Sequence, residues 1–305
     1  MVETEAGQPG AGRMNDSGRF QGRFLQAAQI PGQTRGGWGV VGRAAWGVAA
    51  ATVGECTVRL YRDEAVVLRT QKLGEADRIV TLLTRSHGRV RGVARGVRKT
   101  TSRIGARLEP FSHVDVQLSE GRSLDSVNQV ESIAAHGAVL SADYPKWTSG
   151  TAMLETAERM TPEEREPAVQ QFALLVSGLR SLVAGEHEAS LILDAYLLRS
   201  LAVAGWSPSF ANCAKCGAAG PHRAFSIQGG GVVCPGCRVA GSVSPAPETL
   251  ILLGALLSGD WPVADDSDAR QRREASGLVA AFLQWHLERG LRSLPLVDRN
   301  DRRIG

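Results

Sequence analysis

Two pairs of cysteines with the spacing C-x-x-C constrain this chain more than any other feature. Cys213 and Cys216 form the first pair and Cys234 and Cys237 the second, with 17 residues between the pairs. A turn of this spacing directs two thiolates at one ion, and four thiolates suit tetrahedral zinc. The intervening segment Phe225–Val233 predicts a hairpin, so the whole region is interpreted as a zinc ribbon. Because four sulfurs leave no position for water, we expect one structural zinc per chain rather than a catalytic zinc.

Two other interpretations of the cysteines stay open, a partly eroded site and a set of oxidised thiols. The apolar run Trp38–Val53 is interrupted and has no convincing cleavage site after it, so no secretory signal is predicted. We therefore predict a cytoplasmic protein, in which thiols stay reduced and bind metal. Cys56 lacks a partner motif and is interpreted as incidental. No run of 18 uncharged apolar residues occurs, so no membrane-spanning helix and no membrane partner are expected.

A chain of 305 residues is too long for one ordinary domain. Residues 1–57 contain 12 glycines and show no period of 2 or 3.6. Two interpretations are a disordered tail and a start codon assigned too early. The second is favoured, because a compact domain is predicted to begin near Val58.

Five short segments rich in β-branched residues follow, separated by turn signals such as His87-Gly88. Five such strands in about 75 residues predict a small closed barrel of the OB type. A sandwich or an SH3-like barrel would show a similar pattern. The predicted strands are Glu64–Arg69, Arg78–Thr84, Arg89–Gly96, His113–Ser119 and Leu124–Ile133.

Positive charge is concentrated in this predicted barrel. Residues 58–135 carry 14 basic and 9 acidic residues, net +5, whereas residues 136–210 carry 5 and 9, net −4. Within Arg78–Arg107 there is no acid at all. Alternation along the third strand places Arg89, Arg91 and Arg95 outward and small residues inward. The basic residues of this stretch are Arg78, Arg85, Arg89, Arg91, Arg95, Arg98, Lys99, Arg103 and Arg107.

This basic stretch predicts contact with a polyanion, because the arginine fork donates two hydrogen bonds to a phosphate. A merely solvated face is the alternative. Abundant arginine alone is weak evidence in a chain with 31 Arg and four Lys, but the absence of acids is not explained in that way. Phe111 is the one aromatic residue between Arg62 and Tyr144. Contact with the nucleic-acid backbone is therefore expected rather than base stacking.

From about residue 141 the apolar period changes to 3.6. A stripe within Phe172–Val183 predicts one helix, and Leu191–Leu201 predicts a central buried helix. Thr161-Pro162-Glu163-Glu164 is typical of a helix start. Leu250–Leu257 and Leu278–Leu291 predict two closing helices. The predicted fold class is therefore α+β and multidomain, an OB-fold barrel followed by a helical domain into which the zinc ribbon is inserted.

Motifs of enzymes are absent from the sequence, and no catalytic residue is predicted. There is no Gly-Lys-Ser/Thr of a nucleotide-binding loop, and no His-x-Glu precedes the cysteine pairs. Asp265-Asp266-Ser267-Asp268 is interpreted as an acidic linker. Five scattered histidines share no spacing and are interpreted as surface or core residues; they are His87, His113, His136, His222 and His286.

Several short runs, taken together, resemble the RecO family of bacterial DNA repair and recombination mediators. The resemblance extends in order from Val58 to Asp298. Its runs are Glu64-Ala-Val-Val-Leu-Arg-Thr, Gly74-Glu-Ala-Asp77-Arg-Ile-Val, Thr84 with His87-Gly88, Gly96-Val-Arg-Lys99, Ser102-Arg103 and Leu108-Glu-Pro110-Phe111.

The resemblance implies binding to single- and double-stranded DNA, annealing of complementary strands and a place at the nucleoid. It further implies partnership with RecR, contact with the acidic C-terminal tail of single-strand binding protein, and loading of RecA without catalysis. The four cysteines would carry the metal. Among the basic residues, those carried over first for DNA contact are Arg89, Arg91, Arg95, Arg98, Lys99 and Arg103.

The expected domains are an N-terminal extension (1–57), an OB-fold DNA-binding domain (58–135), a helical domain in two parts (136–210 and 242–298), the zinc ribbon (211–241) and a tail (299–305). Two other functions stay open. A zinc-ribbon transcription factor or nucleic-acid enzyme would need a recognition helix or a catalytic cluster. A structural adaptor would carry its basic face incidentally.

Overall fold

The computed structural model describes residues 59–99, 102, 104–288 and 290–297. The predicted extension 1–57, Arg103, Cys56 and the predicted tail 299–305 lie outside the described residues. What is described is a β-barrel followed by a helical domain that contains the cysteine module. The predicted fold class is confirmed.

Five strands close the barrel in the order β1-β2-β3-β5-β4, with β1 pairing with β4 to complete the circle. β3 and β5 run parallel and pair at Gly92 and Val93, while the other neighbours are antiparallel. A register shift between Val67 and Arg69 bends the long β1 so that it serves two neighbours. The strands are β1 Leu60–Leu73, β2 Asp77–Thr84, β3 Gly88–Ala94, β4 Ser112–Ser119 and β5 Asp125–Ala135.

The side chains of β3 alternate as the sequence predicts. Val90, Gly92 and Ala94 are buried in the barrel, whereas Arg91 is exposed on the outside. A Cβ at Gly92 would lie 3.1 Å from the Val127 side chain, so this position suits a residue without one. Small inward residues therefore let β3 pass close to the opposite wall.

Seven helices of the described chain build the second domain around α4, in which every residue from Leu191 to Leu198 is buried. The predicted central helix is therefore confirmed, as is the buried stripe of α3. Asp268 begins α7 with a capping box to Gln271, so the last acid of the predicted linker is a helix cap. The helices are α1 Gly137–Ser141, α2 Tyr144–Met160, α3 Val169–Ala184, α4 Ala189–Val203, α5 Pro247–Ser258, α6 Trp261–Asp265 and α7 Ala269–Leu287.

The helix start predicted at Thr161-Pro162 is wrong. α2 ends at Met160, and residues 161–168 cross to α3 without helical structure. This segment instead lies against the barrel, where Glu164 forms a parallel bridge with Arg89 of β3. The strand contact with the barrel forms in place of the helix start that the local capping residues favour. Pro167 also disfavours helical backbone at the residue before it.

One side of the barrel shares a hydrophobic core with the helices, whereas the barrel interior has a core of its own, which includes Val80 and Val116. Val66, Leu68, Leu83 and Phe111 of the barrel region belong to the same buried cluster as the helices. The Phe111 ring lies 4.8 Å from the Trp147 ring, measured between centroids. Because Phe111 is buried here, it joins the two domains and offers no surface for base stacking.

Candidate metal centre and nucleic-acid interface

The four predicted cysteines are brought together by two short turns on either side of a hairpin. β6 Ala224–Ser226 and β7 Gly231–Val233 form the hairpin predicted from the sequence. The first turn closes with a hydrogen bond from Gly217 N to Cys213 O of 2.8 Å, and the second with one from Cys237 N to Cys234 O of 3.0 Å. Gly217 has φ of 75°, a value that favours glycine.

The four sulfurs lie within 4.8 Å of one another, and those of Cys216 and Cys234 are 3.8 Å apart. Tetrahedral coordination with Zn–S bonds of ~2.3 Å separates sulfurs by about 3.8 Å. The donor set therefore fits a single tetrahedral ion. It holds four thiols and no water position, which suits a structural metal.

The electrostatics of the cluster also favour a cation. Backbone N–H groups of Cys234 and Cys216 lower the pKa of the Cys213 thiol to about 6. Hydrogen bonds to the sulfurs of Cys216 and Cys234 raise the pKa of Cys237 to about 12. One thiol thus ionises easily because backbone N–H groups stabilise its thiolate, while another resists because hydrogen bonds to neighbouring sulfurs favour its protonated form.

The cysteine module is anchored to the helical domain by Phe225 of β6, which is buried. Its ring packs edge-on against Phe282 of α7 at 6.2 Å and stacks near Phe210 at 6.0 Å, both between centroids. A second strand contact joins Phe225 to Val243. The metal turns are therefore held at the outside of a module whose other side is part of the main core.

The nine basic residues of the barrel do not form one open surface. Four of them lie against carboxylates: Arg78 pairs with Glu109, Arg85 with Glu64 and Arg91 with Glu164, while Arg89 is 3.9 Å from Glu158. Arg107 donates to the Val130 carbonyl at 2.7 Å. Arg103 lies outside the described residues.

Arg95, Arg98 and Lys99 differ from the others, because all three are exposed in the turn that follows β3. Within the part of the chain that the structure describes, none of the three has a carboxylate partner. The turn is fixed by its backbone: Gly96 N donates to Asp77 Oδ1 at 2.7 Å, and Arg98 N donates to Ala76 O at 2.9 Å. We call Arg95, Arg98 and Lys99 the open basic turn.

Sequence reasoning missed a polar network where the helical domain meets the barrel. Arg165 has φ of 64° and pairs with Glu120 at 2.9 Å and with the fully buried Asp125, which also accepts from Tyr61. Burial raises the pKa of Tyr61 well above its usual range. No local pattern announces such a cluster, although Pro167 argues against helical backbone at Glu166, the residue before it.

Two histidines are buried at the same junction, in agreement with their interpretation as core residues. His113 is 1% exposed, and its Nε2 lies 2.7 Å from Glu64 Oε1. Burial lowers the pKa of His113 below its usual value despite the raising effect of Glu64. Burial also lowers the pKa of His136, with smaller contributions from His113 and Arg180.

A cavity of about 710 Å³ opens between barrel and helices. Its apolar lining includes Phe111, Trp147, Leu154 and Leu296. Guanidinium groups surround this lining, and they belong to Arg69, Arg89, Arg159 and Arg292.

None of the helices that the structure describes has the length and apolar character of a membrane span.

Comparison with known proteins agrees with this architecture. The family model described as recombination protein O N terminal matches residues 58–136, and that described as recombination protein O C terminal matches residues 141–295. A DNA repair protein RecO from Nocardioides sp. is 64% identical over 243 residues, which cover 79% of this chain and all of that protein. Proteins of the same name from Streptomyces avermitilis and Thermobifida fusca are 64% and 62% identical, over 79% of this chain and 99% of each relative. The order of barrel, helices and inserted cysteine module, together with these matches, places the chain in the RecO family.

Proposed function

We propose that this protein is a DNA repair and recombination mediator that binds single- and double-stranded DNA through its barrel and acts without catalysis. The observation that carries this proposal is the open basic turn, three cations on a closed OB barrel with no carboxylate partner among the described residues. The name DNA repair protein given to the relatives supports it.

The chemistry of the surface favours annealing of complementary strands. Two strands repel each other through their phosphates, and bound cations lower that repulsion. Bases stay free to pair if the protein does not stack on them. Phe111, the one aromatic residue between Arg62 and Tyr144, is buried against Trp147, so it cannot hold bases back.

For the cysteine cluster we propose one structural zinc per chain, held by Cys213, Cys216, Cys234 and Cys237. Zinc would supply positive charge that lets the four thiolates approach, and part of the folding free energy of the module. The separation of 3.8 Å between two of the sulfurs supports this assignment.

The partners that we propose are RecR, the acidic tail of single-strand binding protein and, indirectly, RecA. The cavity beside Trp147 offers a place for the tail, because it combines an apolar floor with guanidinium groups. Glu155 and Glu158 also line it, but each already lies against an arginine. Four arginines against two glutamates still leave a local excess of cations, to which the barrel contributes Arg69 and Arg89 and the helical domain Arg159 and Arg292.

The docking proposal is tested with the tail peptide. Trp147→Ala should weaken peptide binding, whereas Trp285→Ala, an exposed tryptophan that does not line this cavity, should leave it unchanged. Equal effects of both variants would contradict the placement of the tail.

The mediator proposal is tested by annealing. Complementary strands should anneal without ATP and more slowly as salt rises. Strands coated with single-strand binding protein should anneal only if that protein keeps its acidic tail. An absolute need for ATP would contradict the mechanism, and equal annealing with and without the tail would contradict the docking step.

The two other functions are separated by simple measurements. A zinc-ribbon transcription factor would prefer particular duplex sequences, and a nucleic-acid enzyme would change its substrate covalently. A structural adaptor would show no salt-dependent DNA affinity. Pull-down with RecR and with the tail distinguishes the mediator from both alternatives.

A further inference from the structure

An acidic segment of the helical domain lies on the barrel strand that was expected to meet DNA. Residues Pro162–Glu166 contain three glutamates and one arginine, net −2, and we call them the strap. β3 pairs with β5 only from Gly92 onward in the described register, which leaves the preceding part of its edge open. The strap occupies this edge through the bridge between Glu164 and Arg89.

The backbone of the strap is held firmly. Arg165 N donates to Arg89 O at 2.9 Å, and the Arg165 side chain pairs with Glu120 and Asp125. At Gly88 the strap and β3 approach so closely that a Cβ on this residue would lie 1.7 Å from the Glu166 carbonyl oxygen. The strap is therefore a built contact rather than a loop that happens to pass.

The side chains of the strap engage the outward arginines of β3. Arg91 Nε lies 2.6 Å from Glu164 Oε1, and Arg89 donates to the Pro162 carbonyl. The Arg89 Nε is buried without a hydrogen-bond partner among the described residues. Two guanidinium groups that could bind phosphates are thus occupied by an anion and a carbonyl of the same chain.

The two arginines differ in how easily they are released. Arg89 is 16% exposed and packed between domains, whereas Arg91 and Glu164 are 42% and 36% exposed. The ion pair between Arg91 and Glu164 is weak because both side chains are exposed, so a phosphate can replace the carboxylate without moving the backbone of the strap.

We propose that the strap is a built-in competitor of DNA, in which the Glu164 carboxylate occupies the position at Arg91 that a phosphate takes when DNA binds. This inference rests on the proposed DNA binding by the barrel. It assigns to Glu164 a regulatory effect on that surface: the side chain lowers the affinity of the barrel for DNA and keeps Arg91 from contributing fully.

The test compares Glu164→Gln with Glu163→Gln. Both variants remove one negative charge from the strap, but Glu163 has no side-chain partner among the described residues. Affinity for a labelled oligonucleotide is measured by fluorescence anisotropy over a salt series. Relative to Glu163→Gln, we expect Glu164→Gln to bind about 1.5- to 5-fold more tightly at low salt, the range of an exposed ion pair. The salt slope should steepen by roughly 0.7 to 0.9, one phosphate contact.

A second substitution assigns the gain to Arg91. When Arg91→Ala is combined with Glu164→Gln, the gain in DNA affinity should disappear. When Arg91→Ala is combined with Glu163→Gln, it should lower the DNA affinity by a smaller factor, because Arg91 is still paired with Glu164 in that background. Equal affinities of the two glutamine variants, or weaker binding by Glu164→Gln, would overturn the competitor role while leaving DNA binding by the barrel intact. If neither the wild type nor the variants bind DNA, the proposed function fails and the inference with it.

Discussion

The strongest quantitative expectation concerns the open basic turn. The perturbation is the triple substitution Arg95→Ala, Arg98→Ala and Lys99→Ala. These side chains are exposed, and within the described structure they have no carboxylate to release. Arg98 donates to the Gly74 carbonyl at 3.0 Å, a neutral contact that its exposed guanidinium can give up for a phosphate. Arg89 and Arg91, which the sequence placed on the same face as Arg95, already lie against Glu158 and Glu164.

The magnitude follows from counterion release. Each phosphate contact contributes roughly −0.7 to −0.9 to the slope of log affinity against log salt concentration. Loss of three contacts should therefore flatten the slope by about 2 to 3 units. Between about 50 and 200 mM salt, the affinity of the wild type should fall about 16- to 64-fold more than that of the variant.

The assay is anisotropy of labelled single-stranded and duplex oligonucleotides of several sequences, at salt concentrations across that range. The variant should weaken binding to all sequences alike, because phosphates carry no sequence information. A matched control removes the same charge elsewhere, with Arg223, Arg270 and Arg273 changed to Ala. An unchanged slope in the turn variant, or an equal change in the control, would refute the assignment of DNA contact to this turn.

Three further predictions concern the metal, the core and the N-terminal extension. Elemental analysis should find one zinc per chain, and Cys216→Ser should lower both zinc content and thermal stability; absence of metal with intact free thiols would contradict the site. Burial lowers the folded-state pKa of His113, so the unfolded chain takes up protons first and stability should fall as pH drops below about 6.5. Urea unfolding measured at pH 7.5 and 5.5 should show a smaller loss of unfolding free energy for His113→Asn than for the wild type. The comparison is made between the two proteins because metal release in acid affects both, and an equal loss would exclude His113 as a source of the pH dependence. Deletion of residues 1–57 should leave the melting temperature and DNA affinity nearly unchanged, as expected for a segment whose composition predicts no packed structure; a large drop in melting temperature would show otherwise.

Features encoded by neighbours in the chain were predictable. Alternation along β3 placed Val90 and Ala94 inside and Arg91 outside, because successive side chains of a strand point to opposite faces wherever the strand lies. The spacing within each cysteine pair likewise indicated a metal turn. The segment Leu191–Leu201 of α4, which is apolar almost all round, indicated a buried helix at the centre of a domain.

What each outward arginine contacts was decided by tertiary structure. The pattern of β3 shows that Arg91 leaves the barrel, but Glu164, which meets it, is 73 residues later in a segment that local signals assigned to a helix start. Phe111 is another case, since its role depends on Trp147 of a different domain. Local sequence determines which way a side chain points, because that depends on backbone geometry over a few residues. Whether it then meets solvent, a carboxylate or a phosphate depends on which distant surface the shared core brings against it.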